Sequence, residues 1–136
     1  MDQYKENIFT LRSAKQLHGA VEIRLASLLA RAFPGSAAVP EVVGTLGGRN
    51  DLIQYFFDSR RVVFEVFCSK SQVPQDLRLL EQSEAAVKIA ILIDADVDHE
   101  VSSEYFHKKP DAFPFVWLRW VMVPRWESIV PGACRR

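Results

Sequence analysis

Near the middle of the chain, apolar residues follow one another without interruption from Ile89 to Ile93. A strand without polar alternation is covered on both faces, as the strands of a parallel sheet are. Parallel strands need a crossover connection, and the preceding segment, 71–85, has the apolar spacing of a helix. Ser71 is the expected N-cap of that helix, and Pro74 falls in its first turn, where proline is tolerated. The run therefore predicts an α/β fold with a central mixed sheet flanked by helices.

The segments before this run supply one helix and three strands. Residues 12–33 place their apolar side chains on one arc at helical spacing, which predicts a long amphipathic helix. Strands are predicted at 41–45, 51–57 and 62–68 from their apolar and aromatic content. A short turn joins the last two strands, so we expect them to form an antiparallel hairpin. The predicted order is helix, three strands, helix and strand.

The segments after the run are less regular. Residues 94–100 begin like a calcium-binding loop, but His99 occupies the sixth position, where the sharp turn needs glycine. We therefore expect a solvated loop there, followed by a short helix at 101–108. Residues 115–123 form a Trp-rich strand that is apolar on both faces, which predicts either a covered extra strand or a homodimer contact.

Length and charge limit the class of protein. A chain of 136 residues fits one domain, and no apolar run is long enough to span a membrane. The polar N-terminal segment lacks the apolar region of a secretory signal, so we expect a cytoplasmic protein. Two cysteines, Cys68 and Cys134, make neither a disulfide framework nor a zinc site. The formal net charge of zero argues against strong non-specific nucleic-acid binding but allows a local basic patch.

Three acidic residues occupy positions where carboxylates are expensive or unusual. Glu22 falls inside the apolar arc of the first helix, beside His18, and Glu65 interrupts an otherwise apolar strand. Asp51 opens the second strand. Each residue also has a purely structural alternative. Glu22 could pair with a basic residue at the helix edge, Asp51 could serve turn chemistry, and Glu65 could belong to an edge strand. His18 is interpreted as a hydrogen-bonded packing residue.

The element order and these carboxylates together resemble the PD-(D/E)xK nuclease superfamily. That family shares an αβββαβ core with an acidic residue on the first helix, an aspartate opening the second strand and a (D/E)xK motif on the third. Glu22, Asp51 and Glu65 match the acidic positions, and the segments 47–53 and 64–66 are similar to the family's motifs. The resemblance covers residues 10–94 of a single domain, 1–136, and leaves 95–136 as a C-terminal extension.

The resemblance implies a metal site and a restriction-endonuclease-like fold. Glu22, Asp51 and Glu65 would bind Mg²⁺ or Mn²⁺, with Asp51 and Glu65 on the same side of the sheet and their carboxylates about 4–7 Å apart. The family's lysine position holds Phe67 instead. Lys70 is the nearest lysine and the candidate to replace it, with Gln72 and Lys88 as further polar candidates.

Three functions follow from this reading. The first is a Mg²⁺-dependent endonuclease-like hydrolase with Asp51, Glu65 and Lys70 as catalytic residues, acting on nucleic acid, DNA in preference to RNA. Arginines 49, 60 and 61 would touch the nucleic-acid backbone. The second is a catalytically degenerate domain of the same fold that binds a protein or dimerises through the Trp-rich strand, as Phe67 and the zero net charge suggest. The third is an unrelated function on the same layout.

Overall fold

The computed structural model describes residues 14–43, 49–107 and 115–120. The elements follow one another along the chain in the order α1 (Ala14–Ala32), β1 (Ala37–Val43), β2 (Arg49–Tyr55), β3 (Arg61–Phe67), α2 (Val73–Gln82), β4 (Val87–Leu92), α3 (Ala95–His107) and β5 (Val116–Arg119). A short 3₁₀ turn, Lys70–Gln72, leads into α2. The predicted α/β class is confirmed.

The described strands form one mixed sheet in the order β1-β2-β3-β4-β5. β1, β2 and β3 pair antiparallel, so the predicted hairpin at 51–68 is confirmed. β4 pairs parallel with both β3 and β5, as its uninterrupted apolar sequence predicted. The antiparallel and parallel halves of the sheet therefore meet at β3.

The helices contribute apolar stripes to a core centred on β3 and β4. α1 buries Val21, Leu25 and Leu29 at helical spacing and packs against β1, β2 and β3. α2 packs against both β3 and α3. It buries the following apolar residues: Val73, Leu77 and Leu80. Each fully buried leucine contributes about 1.5–3 kcal/mol to folding, so these stripes fix the helices over the sheet.

Several boundaries differ from the predictions. β2 runs from Arg49 to Tyr55 instead of 51–57, so Asp51 lies inside this strand and does not open it. β1 begins at Ala37, before the predicted start at 41, because Pro40 lies in an edge strand, where a missing N–H is tolerated. The last two residues of that predicted strand, 44–45, lie outside the described residues. Ser71 does not cap α2: its hydroxyl bonds that of Ser69 (3.0 Å), and Gln72 occupies the N-cap position without a side-chain bond.

The predicted solvated loop at 94–100 is wrong, because these residues begin α3. Asp94 Oδ1 accepts a hydrogen bond from the backbone N–H of Val97 (2.9 Å), as a helix-capping aspartate does. Asp96 and Asp98 lie in the first turn, where the helix dipole favours negative charge. The acidic run is therefore a helix start, and the predicted helix at 101–108 is the second half of a longer element.

β5 covers part of the predicted Trp-rich strand and packs against α3. Arg119 Nε donates to Asp98 Oδ2 (2.7 Å), and the ring of Tyr105 contacts those of Phe115 and Trp117 edge-on. Residues 121–123 of the predicted strand lie outside the described residues. Among the described helices, none has the length and apolar character needed to cross a membrane.

Cys68 follows β3 as a half-buried free thiol. Burial raises the pKa of this thiol to about 12, and nearby carboxylates, Asp51 first among them, add to the rise. The thiol is therefore protonated and unreactive at neutral pH. Cys134 lies outside the described residues.

Candidate metal site

A row of carboxylates crosses the antiparallel half of the sheet. The residue after Asp51 pairs with the residue before Glu41 on β1 and with the residue before Glu65 on β3. Residues opposite one another in antiparallel strands point to the same face. Glu41, Asp51 and Glu65 therefore lie side by side on one face of three neighbouring strands.

Helix α1 adds two more polar groups to this row. His18 and Glu22 are four residues apart, so they share one face of the helix. His18 Nε2 lies 3.0 Å from Asp51 Oδ2, with both side chains largely buried, at 30% and 14% exposure. One possible ligand atom from each of His18, Glu22, Glu41 and Asp51 lies within 4.8 Å of the others. These four side chains can hold a metal ion.

Backbone hydrogen bonds hold Asp51 and Glu65 in place. Asp51 Oδ2 accepts from the backbone N–H of Val66 (2.7 Å), and the backbone N–H of Asp51 donates to Glu65 Oε2 (3.4 Å). The same Glu65 oxygen accepts from Asn50 Nδ2 (2.9 Å). The two carboxyls are thus linked across the hairpin in both directions, which orients them without a mobile loop.

Two carboxyl oxygens at the site are buried without a hydrogen-bond partner among the described residues. They are Glu65 Oε1 and Glu22 Oε2. Glu65 is fully buried, at 0% exposure. An unpaired buried oxygen loses its interaction with water and gains nothing in return, which costs about 1–3 kcal/mol. A bound cation or a proton would relieve that cost.

The electrostatics of the site favour protons or cations. Burial raises the pKa of Glu65 to about 10, Asp51 adds to the rise, and the bond from Asn50 opposes it. Burial likewise raises the pKa of Glu22 to about 8, and the neighbouring Glu41 adds to the rise. Both carboxyls therefore hold protons at neutral pH unless another positive charge replaces them.

His18 and Asp76 respond to the same negative field. The hydrogen bond to Asp51 raises the pKa of His18 above 6.5, while burial opposes the rise. Asp76, in the first turn of α2, has its pKa raised to about 7 by burial and by Asp51. The negative field around Asp51 thus extends to α2 as well as α1.

Of the three predicted metal ligands, Glu22 and Asp51 lie in the four-residue set with His18 and Glu41, and Glu65 lies outside that set, bonded to the backbone N–H of Asp51. The structure does not bring Lys70 to them: this lysine is exposed in the 3₁₀ turn, and its ammonium makes no hydrogen bond or ion pair with the cluster. Gln72 is also exposed, and Lys88 Nζ donates to the carbonyl of Glu81 (2.8 Å). None of these three polar candidates therefore contacts the carboxylates in this structure.

Three residues at or near the site are not among the predicted site residues: His18, Glu41 and Asp76. His18 had a signal, because its four-residue spacing from Glu22 places both on one helix face. Glu41 was assigned to a strand, but its place beside Asp51 depends on register, which the sequence does not display. Asp76 carried no signal, since an acidic residue in the first turn of a helix is ordinary capping chemistry.

The three arginines proposed for nucleic-acid contact are spread over the sheet. Arg49 Nη1 lies 3.6 Å from Glu41 Oε1, so it borders the cluster. Arg60 bonds Asp58 (2.8 Å) at the far end of the hairpin. Arg61 opens β3, four residues before Glu65, which is about 13 Å at 3.3 Å per residue. Only Arg49 of these three is positioned beside the carboxylates.

No protein-family model, curated protein or solved structure matches this chain. The case for a function therefore depends on the geometry and chemistry of the cluster itself.

Proposed function

We propose that this domain is a metal-dependent nuclease-like hydrolase that cleaves phosphodiester bonds of nucleic acid, DNA in preference to RNA. Its fold would be restriction-endonuclease-like, with the αβββαβ part of the chain carrying the site. The observation that supports this most is the fully buried Glu65, which lies beside Asp51 and has one oxygen without a partner in the described part of the chain. Burying a carboxyl oxygen without a partner lowers the free energy of unfolding, and a cation bound there would offset that loss.

The carboxylate oxygens of these residues are suitable ligands for a divalent cation. Asp51, Glu65 and Glu22 would hold it, since Mg²⁺ and Mn²⁺ prefer carboxylate oxygens. A bound cation polarises the phosphate and lowers the pKa of a coordinated water. The backbone N–H of Val66 fixes Asp51, and that of Asp51 fixes Glu65, so both carboxylates are oriented in advance.

Lys70 is the group proposed to stabilise negative charge on the substrate. It lies three residues beyond Phe67, just after the end of β3, and its exposed side chain has no bond to the carboxylates of the described residues. A lysine ammonium contributes as a mobile point charge, so it does not need the strand position itself. Its role requires the side chain to fold back over the end of β3.

A catalytically degenerate domain is the second candidate, and Phe67 favours it. Phe67 occupies the position that the nuclease family gives to lysine, and it is fully buried in the core. A benzyl group there offers neither charge nor a hydrogen bond to a phosphate. In this case the domain would bind a protein partner or a second copy, and β5, an edge strand of the described sheet, would be the contact.

Cleavage measured together with metal binding tests the proposal. The wild-type protein should cleave DNA in the presence of Mg²⁺ or Mn²⁺, and Asp51→Asn should lower the rate by at least about a hundredfold, as the loss of one positioned electrostatic group typically does. Asp96→Asn is the matched control, because Asp96 is exposed in the first turn of α3. Its rate should equal that of the wild type.

Lys70→Ala separates the two candidates. If Lys70 serves the reaction, this variant should lose cleavage while keeping metal affinity and stability. Metal binding without cleavage of DNA or RNA in the wild type would support the degenerate domain. Cleavage that persists in both Asp51→Asn and Lys70→Ala would place the active site elsewhere.

A further inference from the structure

The nitrogen atom at the cluster distinguishes it from an all-oxygen site. The donors that come together there are His18 Nε2 and one carboxylate oxygen from each of Glu22, Glu41 and Asp51. The family resemblance includes neither His18 nor Glu41. Magnesium binds oxygen ligands and keeps much of its water shell, whereas imidazole is a ligand of transition metals. The composition of the donor set therefore bears on which cation it takes.

We infer that His18, Glu22, Glu41 and Asp51 bind a divalent transition-metal ion in preference to Mg²⁺, with His18 Nε2 as a direct ligand. Manganese is the probe that fits both kinds of donor, because it accepts carboxylates readily and imidazole as well. The inference rests on the metal dependence proposed above, but it does not require that the substrate be nucleic acid.

The separations between donors match ligands that share one ion. Two neighbouring ligands about 2.1 Å from an octahedral ion lie about 3.0 Å apart, and opposite ligands lie about 4.2 Å apart. His18 Nε2 and Asp51 Oδ2 are 3.0 Å apart. The whole set falls within 4.8 Å, about 0.6 Å beyond the separation of opposite ligands, so the donors would have to draw together around a bound ion.

Glu65, which is not one of the four donors, supplies an observation independent of them. It is fully buried, its Oε1 has no hydrogen-bond partner among the described residues, and its carboxyl interacts directly with that of Asp51. Among the donors themselves, Glu22 Oε2 is likewise buried without a partner among the described residues. Their shared need for a positive partner supports a cation at this place.

Three of the four donors lie on rigid elements. His18 and Glu22 are one helical turn apart on α1, and Asp51 is fixed by the backbone of β3. Glu41, on the edge strand β1, is the most exposed of the four and pairs with Arg49. A metal would compete with Arg49 for Glu41, so this carboxylate is the donor that has to change partner.

Pulsed electron paramagnetic resonance on the Mn²⁺-loaded protein tests the inference directly. Electron spin echo modulation detects a nitrogen nucleus bound to the metal, and labelling histidine with ¹⁵N assigns that nitrogen to imidazole. The wild type should show the histidine signal, and His18→Gln should remove it. His99→Gln is the matched control, since His99 is exposed on α3, and its signal should be unchanged.

Calorimetric titration supplies the selectivity. His18→Gln should weaken Mn²⁺ binding at least about tenfold, a loss of the size that even an outer-shell partner produces. It should change Mg²⁺ binding by less than about threefold, because Mg²⁺ would rely on the oxygen ligands. Glu41→Gln should weaken Mn²⁺ binding while the histidine signal persists.

Three results would overturn the inference. They are a bound Mn²⁺ without a histidine nitrogen, equal losses of Mn²⁺ and Mg²⁺ affinity in His18→Gln, and failure of the wild type to bind Mn²⁺. The first two leave the proposed hydrolase intact with an all-oxygen site. Conversely, a histidine-bound Mn²⁺ in a protein that cleaves neither DNA nor RNA would uphold the metal inference and remove the proposed function.

Discussion

Glu65 and Asp51 are neighbouring carboxyls with different surroundings. Asp51 accepts hydrogen bonds from His18 and from the backbone of Val66, whereas Glu65 is fully buried with one oxygen lacking a partner among the described residues. Burial first, and then the neighbouring Asp51, disfavour the charged form of Glu65 and raise its pKa to about 10. Glu65 is therefore the group that holds a proton in the metal-free protein.

The buried carboxyl should make the metal-free protein less stable as the pH rises. Folding raises the pKa of Glu65 from 4.5 to about 10, so between these values the folded state binds more protons than the unfolded state. The free energy of unfolding then falls with pH across that window. Glu65→Gln cannot ionise and should escape this loss. Relative to the wild type, it should gain at least about 1 kcal/mol between about pH 5.5 and pH 8.5.

Denaturant unfolding with a metal chelator present measures this difference. Glu81→Gln is the control for loss of a carboxyl at an exposed position on α2, and it is unfolded at the same pH values. A Glu65→Gln difference that is constant across the window would show that Glu65 ionises at its ordinary pKa.

At this scale the sequence was informative where burial follows from local pattern. Glu65 stands among apolar residues in a strand, so its burial could be predicted from alternation alone. Glu22 could be placed from the helical arc in the same way. The position of Glu41 beside Asp51 could not be predicted, because it depends on the register between β1 and β2. A register shift of one residue would turn Glu41 to the other face of the sheet.

At the scale of elements, β1 carries the strain of the site. Glu41 has φ +57° in the middle of this strand, a left-handed conformation that residues with a side chain rarely adopt. Pro40, just before it, removes one backbone N–H from the strand, which suits its position at the edge. The strand thus bends at the residue whose carboxylate joins the cluster.

Glycine at position 41 should relieve this strain. The left-handed conformation costs about 1–2 kcal/mol for a residue with a Cβ and almost nothing for glycine. Glu41→Gly and Glu41→Gln both remove the carboxylate, so their difference isolates the backbone. The free energy of unfolding of Glu41→Gly should exceed that of Glu41→Gln by about 1 kcal/mol, measured by denaturant unfolding at one pH. Equal stabilities would mean that Glu41 is not strained in solution.

Element boundaries show where sequence reasoning failed. Residues 94–100 resemble a calcium loop that lacks its glycine and are therefore predicted as a loop, yet their acidic residues stabilise a helix N-terminus. The strand predicted from residue 41 extends back through Pro40 in β1, which only an edge position makes compatible with a strand. In both cases the local chemistry was compatible with two structures, and tertiary position decided between them.

At the scale of the whole molecule, the strand pairings follow from local sequence pattern, whereas the site is formed by residues that are distant in the sequence. The parallel pairing of β4 and the β2–β3 hairpin follow from local pattern and short connections, so they could be predicted. The cluster gathers groups from α1, β1 and β2, with β3 behind them, and no local pattern contains it. The chain brings these groups together only by folding completely, so any cation bound there should stabilise the entire fold.

The same coupling between core and site determines what a lysine at position 67 would do. Phe67 is fully buried and belongs to the apolar core beneath the cluster. A lysine exchanges this apolar ring for an ammonium, and a buried ammonium without a partner costs about 3–5 kcal/mol. Phe67→Lys should therefore lower the free energy of unfolding by more than about 3 kcal/mol, a large part of the 5–15 kcal/mol typical of a domain. Phe67→Leu, which keeps an apolar group, should lose about 1–2 kcal/mol.

Thermal unfolding of both variants beside the wild type tests this. A Phe67→Lys protein as stable as the wild type would mean that its ammonium finds the carboxylates, and cleavage by that variant would then make position 67 part of the active site.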